Sequence, residues 1–71
     1  MPTLKLSVPS LGDGPDARRL ERAYAGERGV FGVVASCGGH CIEIDFEDDE
    51  VTPSRLIEIA RNAGFDAKIA S

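Results

Sequence analysis

Apolar and polar residues alternate one by one in some stretches of the chain and recur every three or four positions in others. Leu4, Leu6 and Val8 alternate with Lys5 and Ser7, the period of two that marks a strand with one face buried. Pro9-Ser10-Leu11-Gly12-Asp13-Gly14-Pro15 is a cluster of breakers and predicts a loop. Beyond it, Ala17, Leu20 and Tyr24 share one face of a predicted helix, while Arg18, Arg19, Glu21 and Arg22 cover the other. Gly26 or Gly29 is placed to end it. Val30 to Ser36 is rich in valine and bounded by glycines, which predicts a second strand with Val33, Ala35 and Cys37 inward. Ile42, Ile44 and Phe46 alternate with Glu43, Asp45 and Glu47, giving the clearest strand of the chain, wet on one face and buried on the other. Thr52-Pro53 opens a second helix, threonine as N-cap and proline at the first helical position. Leu56, Ile59, Ala60 and Ala63 form its apolar stripe, with Gly64 as C-terminal stop. Phe65, Ala67 and Ile69 alternate with Asp66 and Lys68 as a short last strand.

The order β-α-β-β-α-β consists of two strand–helix–strand units. Right-handed crossovers place both helices on one face of an antiparallel four-stranded sheet. The expected architecture is a ferredoxin-like two-layer α/β (α+β) sandwich. With the first strand running up, the loop after it, the hairpin turn after the second strand and the connection at Gly64-Phe65 all lie at one pole. The second strand is expected at an edge, two spacings of about 4.8 Å from the first.

Composition narrows the partners. The chain has 71 residues, of which 42% are hydrophobic and 28% charged, enough for a single domain spanning residues 1–71 with a thin core. Eight basic residues against twelve acidic ones leave a net charge of −4, which argues against nucleic acid and against an anionic membrane surface, both of which need clustered Lys and Arg. No apolar run approaches the roughly 20 residues that cross a bilayer, and the N-terminal residues lack the pattern of a signal peptide. The expectation is a complete, cytoplasmic chain.

Candidate chemistry is concentrated in Cys37-Gly38-Gly39-His40-Cys41, which holds both cysteines and the only histidine. Gly38-Gly39 can supply the two left-handed residues of a type I′ turn. That turn puts Cys37 opposite His40 on the helix-facing side and Cys41 on the open side, opposite Ser36. A three-residue loop would instead pair Cys37 with Cys41, at the cost of a bulge. A bridge between cysteines this close would close a very short loop and stabilise little. The spacing is not that of a zinc finger, which needs a second ligand pair. Thiolate and imidazole donors suit Cu(I), Zn(II) or Hg(II) and not Mg(II) or Ca(II). Because thiols must lose their protons on binding, affinity is expected to fall with acidity. The competing reading makes Cys37 a small buried apolar residue, Cys41 an incidental one and His40 a surface turn residue. Glu47-Asp48-Asp49-Glu50, at the opposite pole, reads as a solvated turn.

A family likeness runs through nearly the whole chain. Ala17-Arg18-Arg19-Leu20-Glu21-Arg22-Ala23, Gly29-Val30 with Val33, Val51-Thr52-Pro53-Ser54-Arg55-Leu56-Ile57 and the closing Ala63-Gly64-Phe65-Asp66-Ala67 resemble heavy-metal-associated domains, the copper- and mercury-handling modules found as free chaperones and as repeats in metal-pumping ATPases. In that family a Met-x-Cys-x-x-Cys loop before the first helix carries the metal. Here the matching run is Leu11-Gly12-Asp13-Gly14-Pro15-Asp16, with aspartates at both cysteine positions. Carboxylates are poor Cu(I) ligands. Asp13 is instead expected as an N-cap and Asp16 as a first-turn residue favoured by the helix dipole.

The resemblance and the hairpin donors together lead to the expectation of a non-catalytic metal carrier or chaperone for a soft ion such as Cu(I), Zn(II) or Hg(II), Cu(I) or Zn(II) foremost, with Cys37, His40 and Cys41 as ligands moved from loop to hairpin at the same pole. A metal-transporting ATPase or another protein is the implied partner, and the chain is a monomer or a metal-bridged dimer. The alternative is an interaction or regulatory module that has lost metal handling and binds a protein through its sheet or its edge strand. Thiol redox chemistry is less favoured, since Cys37 and Cys41 do not form a Cys-x-x-Cys motif at a helix N-terminus. No phosphate-binding glycine loop or nucleophile–base pattern points to an enzyme.

Overall fold

Each period-two stretch forms a strand and each longer-period stretch a helix. The computed structural model describes residues 2–12, 14–36 and 38–70. It contains β1 (Thr3–Ser7), α1 (Gly14–Ala25), β2 (Val30–Ser36), β3 (Cys41–Phe46), α2 (Pro53–Asn62) and β4 (Lys68–Ile69). The sheet order is β2-β3-β1-β4 with every neighbouring pair antiparallel, the ferredoxin-like arrangement. β2 is the edge, two strands from β1, as the crossover argument requires.

The alternation fixes the core. Leu4, Leu6 and Val8 from the β1 stretch and Ile42, Ile44 and Phe46 from β3 are buried against Ala17, Leu20 and Tyr24 of α1 and Leu56, Ile59 and Ala60 of α2. Tyr24 carries the one polar atom of this contact. Its hydroxyl donates to the Leu56 carbonyl at 2.5 Å, tying α1 to α2, and burial raises its pKa well above the ordinary tyrosine range.

Helix ends follow their caps. Thr52 Oγ1 accepts from the Arg55 amide at 3.2 Å, with Pro53 behind it. At the far end Gly64 takes φ +95. There the Gly64 amide bonds Arg61 O at 2.9 Å and the Phe65 amide bonds Ala60 O at 3.0 Å. This is a Schellman closure, and Phe65 is buried beneath it. Arg55 is flanked by Glu27 and Glu58, whose hydrogen bonds, Glu27 first, raise its pKa further.

Two local features depart from the alternation. β2 carries a bulge: its register on β3 passes from Val30↔Phe46 to Gly32↔Asp45, so Phe31 is an extra residue. The last strand is shorter than its pattern. Phe65 and Ala67 are buried, but only Lys68 and Ile69 pair with β1, and Ile69 remains 55% exposed. Phe65 is held by the helix closure and not by the sheet, which leaves few residues for a ladder.

Candidate functional site

The hairpin β2–β3 closes its ladder at Ser36↔Cys41, the register the sequence predicts. The turn itself differs from the expected one. Gly39 does not take positive φ, whereas His40 does, at φ 50. A type I′ Gly-Gly turn is therefore not formed. The reason lies in the neighbouring strand. Val8 continues β1 beyond its last paired residue, and its amide needs an acceptor. The His40 carbonyl supplies it at 2.7 Å, and turning that carbonyl towards Val8 fixes the backbone at residue 40.

The same conformation sends the imidazole towards the loop after β1. His40 Nδ1 lies 2.7 Å from the Leu11 carbonyl oxygen. A carbonyl only accepts, so Nδ1 carries the proton, and in the neutral ring Nε2 keeps the lone pair. Metal-ligating histidines are held in this way, one nitrogen on a carbonyl and the other on the ion. Leu11 is itself fully buried, and its amide bonds the Val8 carbonyl at 2.9 Å. The anchor is thus part of the core. Sequence reading missed Leu11 because a backbone carbonyl leaves no side-chain signal.

Cys41 is a half-buried free thiol. Its register partners are Ser36 on β2 and Ser7 on β1, and it shares parity with the exposed Glu43 and Asp45, which places it on the open face. Gly39 lies over it: a Cβ there would stand 3.3 Å from Cys41 Sγ and 3.2 Å from Ser36 Oγ, and the Gly39 amide donates to Ser36 Oγ at 3.3 Å. His40 therefore faces the loop side and Cys41 the open side of the same hairpin. Cys37, the third predicted ligand, lies outside the described residues.

The predicted pole is assembled as expected. The loop after β1 and the hairpin meet through Val8, Leu11 and His40, and the Arg19 guanidinium stands 4.9 Å over the Phe65 ring. Asp16 sits in the first turn of α1; its Oδ2 accepts from the Gly12 amide at 3.4 Å and its Oδ1 lies 3.8 Å from Arg19. Asp13, the expected N-cap, lies outside the described residues. At the other pole, the carboxylates of Glu47, Asp48 and Asp49 lie within 4.8 Å of one another. Among the described residues this is the only grouping of three potential metal donors. It is largely exposed, its oxygens are hard donors, and exposed acidic turns of this kind are ordinary. Among the described residues no helix is long and apolar enough to cross a membrane.

No protein-family profile matches the sequence, and no curated protein matches it. Solved structures do match its backbone. Oxidized MerP from Ralstonia metallidurans CH34 is 20% identical over 99% of this chain and 97% of its own, with a TM-score of 0.93. A copper binding domain from HMA7, a P-type ATPase, is 21% identical over 100% of this chain and 96% of its own, with a TM-score of 0.96. The yeast copper transporter domain CCC2A, solved in apo and Cu(I)-loaded states, is 20% identical over 99% and 96% of the two chains, with a TM-score of 0.90. At these identities the likeness is one of backbone, and what it establishes is that the chain has the ferredoxin-like fold of heavy-metal-associated domains.

Proposed function

We propose that this protein is a non-catalytic carrier of a soft metal ion, Cu(I) or Zn(II), held by Cys37, His40 and Cys41 of the β2–β3 hairpin. The observation that carries the reading is the His40 imidazole anchored through Nδ1 to Leu11 O. That bond leaves the Nε2 lone pair available on a turn whose sequence neighbours Cys37 and Cys41 carry the chain's two thiols. The fold shared with a metallochaperone and with a domain of a P-type ATPase supports cargo of this class, and a metal-transporting ATPase as the exchange partner. His40 and Cys41 open to different sides of the hairpin. Joining them on one ion requires the tip to re-fold about Gly38 and Gly39, or a second molecule to complete the ion's shell as a metal-bridged dimer.

Titration of the reduced protein with Cu(I) and Zn(II) tests this. Cys37→Ser, Cys41→Ser and His40→Ala are each expected to weaken binding about tenfold or more. Neutralising Glu47, Asp48 and Asp49 to amides is expected to leave soft-ion affinity unchanged. If both serine variants bind as the parent does, the site is wrong.

A second reading, a metal-free interaction or regulatory module, draws on Asp16. Its carboxylate is engaged with Gly12 and Arg19 at a position where the resembled family carries a cysteine. Identical spectra and stability with and without thiophilic metals would favour it.

A further inference from the structure

β2 is an edge strand whose one protective device among the described residues is the bulge at its start. Its seven residues, Val-Phe-Gly-Val-Val-Ala-Ser, include no charge and no proline, whereas edges that stay single carry lysine, proline or inward charge, or are very short. Two of its side chains, Phe31 at 64% and Val34 at 69%, are the most exposed large apolar groups among the described residues. The bulge at Phe31 disturbs only the start of the strand; Gly32 to Ser36 remain in one continuous register on β3. The outer amides and carbonyls of that stretch face away from the sheet. Beside them a cleft of about 250 Å³ opens between α1 and β2, lined by Tyr24, Ala25, Val30 and Phe31 among others.

We infer that β2 is a dimerisation edge whose occupant is β2 of a second copy of this chain, paired antiparallel about Val34. That register sets Val34 against its own counterpart on the two-fold axis, Val33 against Ala35 and Gly32 against Ser36. Every pair matches residues of the same sheet face, because a symmetric antiparallel pairing preserves parity. Charge fits the same occupant. On α1, Glu21 and Ala25 line that cleft, and Arg18 and Arg22 adjoin them on the same helix face. Two such helices running in opposite directions bring each Glu21 near the other copy's arginines, so the contact complements itself although the chain has a net charge of −4. The other edge sets the size of the assembly. β4 has two residues and an exposed Lys68, too short to template a further strand, so growth closes at two copies and an eight-stranded sheet. No donor of the hairpin tip takes part, so this dimer forms without metal.

Sedimentation of the full chain, reduced and with chelator present, over concentrations up to roughly millimolar, tests the pairing. The expected result is a monomer–dimer equilibrium in the roughly micromolar to sub-millimolar range, since a short strand buries less than a standard interface. Val34→Lys places like charges on the axis and is expected to raise the dissociation constant at least about tenfold. Its far-UV circular dichroism should stay that of the parent, because Val34 is 69% exposed and outside the core. Glu21→Arg leaves the strand intact and is expected to weaken the dimer in the same direction. Amides of residues 32–36 that point away from β3 should exchange more slowly as concentration rises. A monomer at every concentration, a dimer indifferent to Val34→Lys, a dimer that appears only when metal is added, or open-ended growth would each overturn the inference.

Discussion

Both poles of the sandwich use left-handed residues; apart from Gly64, which closes α2, each has one among the described residues, and the two are opposites. At the acidic pole it is Gly29, at φ 91, whose carbonyl receives the Glu47 amide at 2.7 Å. Nothing larger fits there: a Cβ would stand 2.9 Å from Glu50 Cβ and 3.2 Å from Val51 Cγ1. At the hairpin pole two glycines are available, yet the left-handed conformation falls on His40. Glycine tolerates that region freely, and any other residue is held there only by its surroundings. The surroundings of His40 are Val8 N–H on its carbonyl and Leu11 O on its ring. One pole thus spends its special position on packing, the other on aiming a side chain. His40, a donor residue, bears the left-handed backbone while Gly39 beside it does not, at the pole where the ion site is proposed.

The comparison is broken most severely at the first pole. Gly29→Ala introduces both an unfavourable φ and a clash with Glu50 and Val51, and is expected to cost roughly 2 kcal/mol or more, read as a lower denaturation midpoint with unchanged slope. Soft-ion affinity, proposed for the other pole, should not move.

Tyr24, which belongs to neither pole, calibrates the body between them. It is the only tyrosine, and its pKa is raised by burial. Below about pH 10 it is neutral in both folded and unfolded chains and carries no ionisation penalty. As pH rises past that point the unfolded chain releases the proton while the folded one retains it, so stability falls with further alkalinity. Tyr24→Phe is expected to cost about 1 kcal/mol near neutrality and to remove that tyrosine-linked alkaline loss, as followed by circular dichroism between neutral and alkaline pH.

The smallest stability change is the sharpest discriminator. His40→Gly relieves the left-handed strain, about 1 kcal/mol, and forfeits the bond to Leu11, of similar size. Net stability should change by no more than about 0.5 kcal/mol. Soft-ion affinity should nevertheless fall, and a variant both more stable and equally avid would assign His40 a merely structural place.

Much of the fold could be read directly. Strict alternation of Ile42, Ile44 and Phe46 with acidic residues leaves one register for β3, because a slip of one residue would turn its whole apolar set to water. Thr52-Pro53 and Gly64 carry their capping chemistry in their own covalent structure. The candidate site was legible only as a set of donor types. Cys41's placement on the open face follows from strand parity and could be foreseen; its flanking by Ser7 and Ser36 needed the pairing of β1 with β3 as well. The turn could not be foreseen, since Gly-Gly beside His allows several backbone paths, and the one taken depends on the Val8 amide just past β1, some thirty residues away.

The amino-acid sequence determined which residues are apolar, at what period, and where helices begin and end, because these depend on contacts within a turn or two of chain. It also determined which atoms can bind a soft ion. Tertiary structure decided the rest: that Val8 claims the carbonyl of His40, that Leu11 holds the imidazole, that β4, at the edge opposite β2, pairs with β1 over only two residues. These are consequences of where distant segments leave unsatisfied donors, acceptors and apolar surface, and a buried hydrogen-bonding group takes whatever partner the fold brings within reach.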